Sequence, residues 1–345
     1  MSYQREFEKR LRVGIVGLGS HCYRNILPAM NYLPVQLVAM CDRDEALLKL
    51  TAPQFGVSQC FTDTAEMYRN ADLDAVFLCV GPFAHAELAC EALDAGLHVW
   101  LEKPPSDRAH SIEKMLEHRG DRKVVVGFKK TFQTAIEKAE ELVKSPDAGA
   151  LKTILGEYRM SIPQKGQEIL ESRKMNNWLG NGCHPLSAML QVGGAVKAVT
   201  TIRGAVGGGA CILEYENGAL GNLHLADGMK GPTERYSFFC ENVQVVVDNS
   251  RKVTLHRGIP FQYKYTSNYA PEGIDTGSIS WEPQNNTATL ENKALFTQGF
   301  VQELYHFCEC VLEDKIPERG TLEFALHVMR IYEAGFISDG QRIEV

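Results

Sequence analysis

Between Leu11 and Phe128, short apolar runs alternate with stretches of helical character, and that alternation leaves few folds open. Leu11–Val16 ends in glycines, and a helical stretch follows to about Tyr32, where Pro34 stops it. The pattern recurs as strand Val35–Cys41, helix Asp44–Gln54, a short strand near Gln59–Phe61, helix Thr64–Arg69, strand Asp74–Val80 and helix His85–Ala95. His98–Leu101, a helix near Ala109–His118 and Lys123–Phe128 complete it. Six short strands separated by helices require right-handed βαβ crossovers and a parallel sheet. The alternation predicts an α/β, doubly wound first domain over residues 1–128.

From residue 129 to 345 the texture changes. After a helix over Thr131–Lys144, longer alternating segments are joined by tight-turn residues. Ala210–Tyr215 and Ala219–Leu225 flank Glu216-Asn217-Gly218, a strong hairpin signal. Tyr236–Cys240, Val243–Val247 and Val253–His256 continue as an antiparallel meander with one face covered by helices, so the second domain reads as α+β. Gly258–Glu291 lacks periodicity and reads as a long loop. Two helices, Phe300–Leu312 and Leu322–Ser338, close the chain. The 345 residues accommodate two domains at roughly 150 residues each.

Hydrophobic residues make up 44% and charged residues 23%, and no stretch approaches the roughly 18 apolar residues of a membrane span. The charged amino terminus lacks the apolar core of a signal peptide, so the expected location is the cytoplasm. Net charge is −7, from 36 basic and 43 acidic residues without a run of one sign, which argues against nucleic acid as a partner and for a small molecule. The ten cysteines form no C-x-x-C pair and read as reduced thiols. His306 and Cys310 share a helix face from which Cys308 points away, so they read as packing, and no metal is expected.

Gly17-Leu18-Gly19-Ser20-His21-Cys22 follows the first strand and opens the first helix. There Gly17 permits a tight turn and Gly19 the approach of a pyrophosphate, whose charge the helix start favours; Cys22 stands where a third glycine is usual. Asp42 ends the second strand, where a carboxylate can accept from ribose hydroxyls and repel a 2′-phosphate, predicting NAD. Arg43 beside it could pair with that phosphate or stack on adenine, which leaves NADP open. Gly81, Pro82 and His85 follow the fourth strand and Glu102 and Lys103 the fifth, opening onto the same crevice.

Gly14-Ile15-Val16-Gly17-Leu18-Gly19, Asp94-Ala95-Gly96-Leu97-His98-Val99 and Glu102-Lys103-Pro104 together resemble the glucose–fructose oxidoreductase/inositol dehydrogenase/rhizopine catabolism (Gfo/Idh/MocA) oxidoreductase family. The resemblance extends to Val126-Gly127-Phe128, Gly182-Cys183-His184 and the stretch from Val301 to Val345. It implies a Rossmann domain, a second domain with an open-faced, largely antiparallel sheet, and a nicotinamide held between them. It also implies NAD(P)-dependent oxidation of a sugar, polyol or related carbohydrate-like derivative, and a homo-oligomer built through the second sheet. Two alternatives stand beside it: a regulator that senses NAD(P) without chemistry, and elimination or glycoside cleavage through transient oxidation with recycled NAD.

Oxidising an alcohol removes a hydroxyl proton as hydride leaves carbon, which calls for a base beside the nicotinamide. Lys103 can serve, since burial and a positive nicotinamide both favour its neutral form, and the resemblance implies that role, with Pro104 in the cis form. His184 begins a helix, Pro185–Gln191, after the turn Gly180-Asn181-Gly182, with the positive helix end keeping it neutral. The resemblance implies a catalytic histidine there, with acids four residues before and three after; this chain has Gly180 and Ser187 instead. In Gly127-Phe128-Lys129-Lys130-Thr131, Lys129 faces the crevice and Lys130 solvent, or both are surface lysines. Asn177, Trp178 and Asn181 belong to a polar segment that could line a sugar site, with the indole over an apolar ring face, or lie on exposed loops.

Overall fold

In the computed structural model, residues 6–228, 234–258, 263–265 and 277–345 are described. The first six strands are β1 (Leu11–Val16), β2 (Val35–Cys41), β3 (Gln59–Phe61), β4 (Ala75–Leu78), β5 (His98–Glu102) and β6 (Val124–Gly127). They form one parallel sheet in the order β3-β2-β1-β4-β5-β6. The order reverses at β1, the place where a sheet of this kind binds ligands at the carboxyl ends of its strands. β4 and β6 are buried at every residue, as a sheet covered on both faces requires. Helices Pro82–Asp94 and Ala109–His118 cover one face. The other face packs against residues 22–32 and, from the far end of the chain, Phe300–Leu312: Phe300, Val301, Leu304 and Phe307 share a buried cluster with Val13, Ile15 and Phe77. The turn Cys22–Ile26 is π-helical, continuing as Leu27–Ala29 and Met30–Tyr32.

The second sheet comprises β7 (Leu151–Tyr158), β8 (Val196–Arg203), β9 (Gly208–Tyr215), β10 (Leu220–Ala226), β11 (Glu234–Cys240), β12 (Gln244–Asp248), β13 (Lys252–His256), β14 (Ser278–Trp281) and β15 (Ile343–Glu344). Among the described residues its order is β14-β13-β12-β11-β7-β10-β9-β8-β15. The Asn217-Gly218 hairpin forms, with Gly218 at φ +89°, and β11 to β14 run as an antiparallel meander. The sheet is not antiparallel throughout: β7 and β10 pair in parallel at its centre. The segment expected to be a long loop contains β14; residues 259–262 and 266–276 of it lie outside the described residues. Helices Thr134–Val143, Asn177–Gly193 and Leu322–Ile337 cover one face. On β10, buried Gly221, Leu223 and Leu225 alternate with exposed Leu220, Asn222 and His224, so the opposite face is open there among the described residues.

Two close fits hold the helices in place. A Cβ at Gly156 on β7 would lie 2.7 Å from Met189 Sδ, so glycine there lets the helix Asn177–Gly193 settle onto the sheet. The buried Arg203 guanidinium at the end of β8 donates to the carbonyls of Gly335 (2.9 Å), Phe336 (2.8 Å) and Ser338, and to Pro163 (3.0 Å). It thereby satisfies the carbonyls that the helix Leu322–Ile337 leaves unpaired at its end. All ten cysteines are unpaired thiols, and no helix among the described residues is long and apolar enough to cross a membrane.

Replacing Arg203 with methionine keeps the buried stem but orphans these carbonyls. The expected loss is about 3–5 kcal/mol, read as a lower urea midpoint at unchanged slope.

Candidate active site

The turn after β1 is built around Gly17, whose φ is +87° and where a Cβ would lie 2.5 Å from the Cys79 carbonyl oxygen. No other residue fits there. Gly19 is the opposite case: its Cβ would meet nothing within 4 Å, so the backbone presents open space beside the helix start at Ser20 and His21. Asp42 holds this turn to β2, accepting from Leu18 N at 2.7 Å through one oxygen and from Asp44 N at 2.9 Å through the other. Arg43 is exposed beside it. Gly81 precedes the helix Pro82–Asp94 and is exposed, and Pro82 is the buried first helical residue.

Two residues expected to touch the cofactor do not reach this surface. Cys22 is 1% exposed and packs inward beneath the turn. His85 is fully buried; its Nδ1 is 2.8 Å from the Pro104 carbonyl oxygen, to which a neutral imidazole donates. Burial brings His85 down to about 4, against a positive pull from that carbonyl. The residue therefore holds the loop after Lys103 rather than a ligand. The Lys103–Pro104 bond is cis.

At the end of β5, the buried Glu102 pairs with His21 Nε2 at 2.7 Å and accepts from the Lys103 amide at 3.1 Å. Lys103 Nζ reaches across to the Gly180 carbonyl at 3.4 Å. Gly180 lies one helical turn before His184, so this contact brings Lys103 to the helix face that carries the histidine. His184 does not begin that helix. The helix runs Asn177–Gly193 and starts where Asn176 accepts from Leu179 N at 2.8 Å; the expected turn Gly180-Asn181-Gly182 is helical. Its glycines serve packing, for a Cβ at Gly182 would lie 2.6 Å from the Trp178 ring. Burial, with Lys103, Lys130, Lys129 and His21 nearby, pushes His184 well below the usual imidazole range. It stays neutral, for a different reason from the helix end invoked on sequence. Ser187 donates to the His184 carbonyl at 3.0 Å, so its hydroxyl is engaged away from the imidazole.

Trp178 is a correction. It is fully buried and its indole N–H donates to the Tyr332 carbonyl at 3.0 Å, so it covers no sugar. Asn181 is exposed, Asn177 half-buried, and the two bond to each other at 2.7 Å. Lys130 is likewise not a solvent lysine: it is 6% exposed and pairs with Glu234 at 2.5 Å and Ser250 at 2.9 Å. Lys129, half-buried, bonds Gln298 Oε1 at 2.9 Å and lies 4.4 Å over the Phe300 ring, against which His21 also packs. Sequence reasoning missed Phe300 and Glu303. Glu303 is fully buried, neither oxygen has a partner among the described residues, and burial and Glu102 push it far above the usual carboxyl range. An acid sharing the apolar face of Phe300, Leu304 and Phe307 was the available signal. Among the described residues no group of three or more His, Cys, Asp and Glu could hold a metal.

Residues 11–129 match the oxidoreductase family with an NAD-binding Rossmann fold. Over 216 residues, 60% of this chain and 66% of the relative, the sequence is 26% identical to D-xylose 1-dehydrogenase (NADP(+)) 2 of Haloferax volcanii. That match spans just under two thirds of the relative's length. Over 284 residues, 75% of this chain and 84% of the relative, it is 24% identical to myo-inositol 2-dehydrogenase of Thermotoga maritima. An oxidoreductase from Agrobacterium radiobacter, crystallised with NAD+, L-tartaric acid and magnesium, superposes with a TM-score of 0.79 at 16% identity, covering 97% of this chain and 98% of that one. At that identity the likeness is one of fold.

Because His85 is neutral when folded and titrates near 6.5 when unfolded, the unfolded chain takes up the extra proton below that pH. Stability should fall as pH drops from about 6.5 towards 4. His85→Gln retains a donor to Pro104 without titrating, and should flatten this decline by about 1.4 kcal/mol per pH unit in denaturant titrations.

Proposed function

Residues 11–129 place this chain in the Gfo/Idh/MocA oxidoreductase family, and on that premise we propose that it is an NAD(P)-dependent dehydrogenase. Its substrate is a sugar, polyol or related derivative, oxidised at a hydroxyl-bearing carbon, as the activities named for the xylose and inositol relatives suggest. The observation that carries the proposal is the convergence of Lys103 on the first turns of the helix bearing His184, while its neighbour Glu102 bonds His21 at the helix start after Gly19.

The residues fit a dinucleotide. Gly17 and Gly19 leave the turn accessible, Ser20 and His21 start the helix towards which a pyrophosphate would lie, and Asp42 would meet the ribose. A bound nicotinamide supplies the hydride acceptor. The protein's part is proton management. Lys103 Nζ takes the hydroxyl proton as the carbonyl forms, and neutral His184 orients the hydroxyl or relays the proton onward. Glu102 fixes the Lys103 backbone, and His85 fixes the loop that follows. Gly180 carries no carboxylate and Ser187 is turned to the backbone, so in this reading lysine and histidine work without an acid between them. The open face of the second sheet is the surface through which we expect copies of the chain to associate.

Lys103→Met should bind NADH nearly as the parent does yet lose about 10²–10⁴ in kcat for whichever sugar or polyol the parent oxidises. Retained turnover would overturn the assignment. Stabilisation by NAD with no turnover across such a screen would favour the sensing regulator. In this reading the Asp42 carboxylate repels a 2′-phosphate on the ribose, so NADH should bind more tightly than NADPH by about tenfold or more; the reverse order in fluorescence titrations would sink the preference.

A further inference from the structure

Lys129 is the charged group at the crevice for which the proposed chemistry gives no use. Its ammonium is half-buried, its partners are a neutral amide oxygen and an aromatic face, and no carboxylate among the described residues comes within ion-pair distance. A cation withdrawn from water without a counter-charge is costly. The acids nearby do not supply one. Glu234 is engaged by Lys130, and Glu102 by His21 and the Lys103 amide. Glu303, below Phe300 on the same helix, is buried where its neutral form is favoured. Burial and the neighbouring Lys130 bring Lys129 itself down to about 8. Lys103, Lys130, Lys129 and His21 all disfavour the protonated form of His184.

We infer that Lys129 is a specificity-determining residue that pairs with an anionic group of the substrate, which makes that substrate a sugar acid rather than a neutral sugar or polyol. The inference rests on the dehydrogenase reading of the crevice and deepens it by naming the substrate class. The ammonium follows the end of β6 and lies over the Phe300 ring, against which His21 also packs, so the anion would lie beside that ring. The flexible amide of Gln298 occupies the position until a stronger acceptor arrives.

The test uses matched pairs of probes on the enzyme–NADH complex, D-gluconate against sorbitol, D-xylonate against xylitol and D-glucuronate against D-glucose, with affinity read by calorimetry and turnover with NAD measured in parallel. The acids should bind about tenfold to a hundredfold more tightly than their neutral partners. In Lys129→Met that ratio should fall towards one, and in Lys129→Arg it should persist, which separates loss of charge from loss of fold. Equal binding within the pairs, or a ratio preserved in Lys129→Met, would overturn the inference. So would weakened NADH binding in Lys129→Met at an unchanged ratio, since the lysine would then serve a cofactor phosphate. Acids that bind through Lys129 without being oxidised would support the anion site while counting against the dehydrogenase reading.

Discussion

A carboxylate can be buried only if other groups come to it, and the arrangement of the crevice follows from how Glu102 is satisfied. One oxygen draws in His21 from the first helix, and the other takes the amide of Lys103. The lysine side chain is thereby aimed off the end of β5 and across to Gly180. Three separate stretches of chain, the turn after β1, the end of β5 and the helix Asn177–Gly193, are tied through this one acid. His85 braces the same loop from beneath, through a neutral ring that needs no counter-charge.

Much of this was legible in the sequence because it rests on local chemistry. The parallel sheet is written as six apolar runs separated by helices, Gly17 as a conformation that only glycine tolerates, and the hairpin at Asn217-Gly218 as two residues suited to positive φ. The Glu102-Lys103-Pro104 motif identified the end of β5 before any contact was known. What the sequence concealed depends on distant partners. Gly180 and Gly182 read as a turn, but the helix runs through both, and at Gly182 the Trp178 ring needs the space that a Cβ would fill. Trp178 reads either as a sugar-site lining or as an exposed loop residue, because its polar neighbours hide the Tyr332 carbonyl that holds it in the core. Lys130 read as solvated because its partners, Glu234 and Ser250, are more than a hundred residues away. The parallel β7–β10 pair joins segments that are remote in sequence.

The electrostatics show the same division between a correct inference and its cause. Neutral His184 follows on sequence from a helix end, and in the structure from burial among cations. The distinction matters chemically, because a helix end acts on one residue whereas a cluster of lysines acts on everything that enters the crevice. Gly180 and Ser187 bring no negative charge to that cluster, and lysine at 129 adds to the positive side.

The return of the helix Phe300–Leu312 to the first sheet bears on how the chain is made. Phe300, Val301, Leu304 and Phe307 help to cover a face of strands whose residues, from Val13 to Val125, precede Phe300 by about 175 to 290 positions. During synthesis that apolar face waits, only partly covered by residues 22–32, through translation of the whole second sheet. The part of the protein written first is thus finished nearly last, and a nascent chain halted before residue 300 would display an incomplete layer that invites chaperones rather than a ready nucleotide-binding unit.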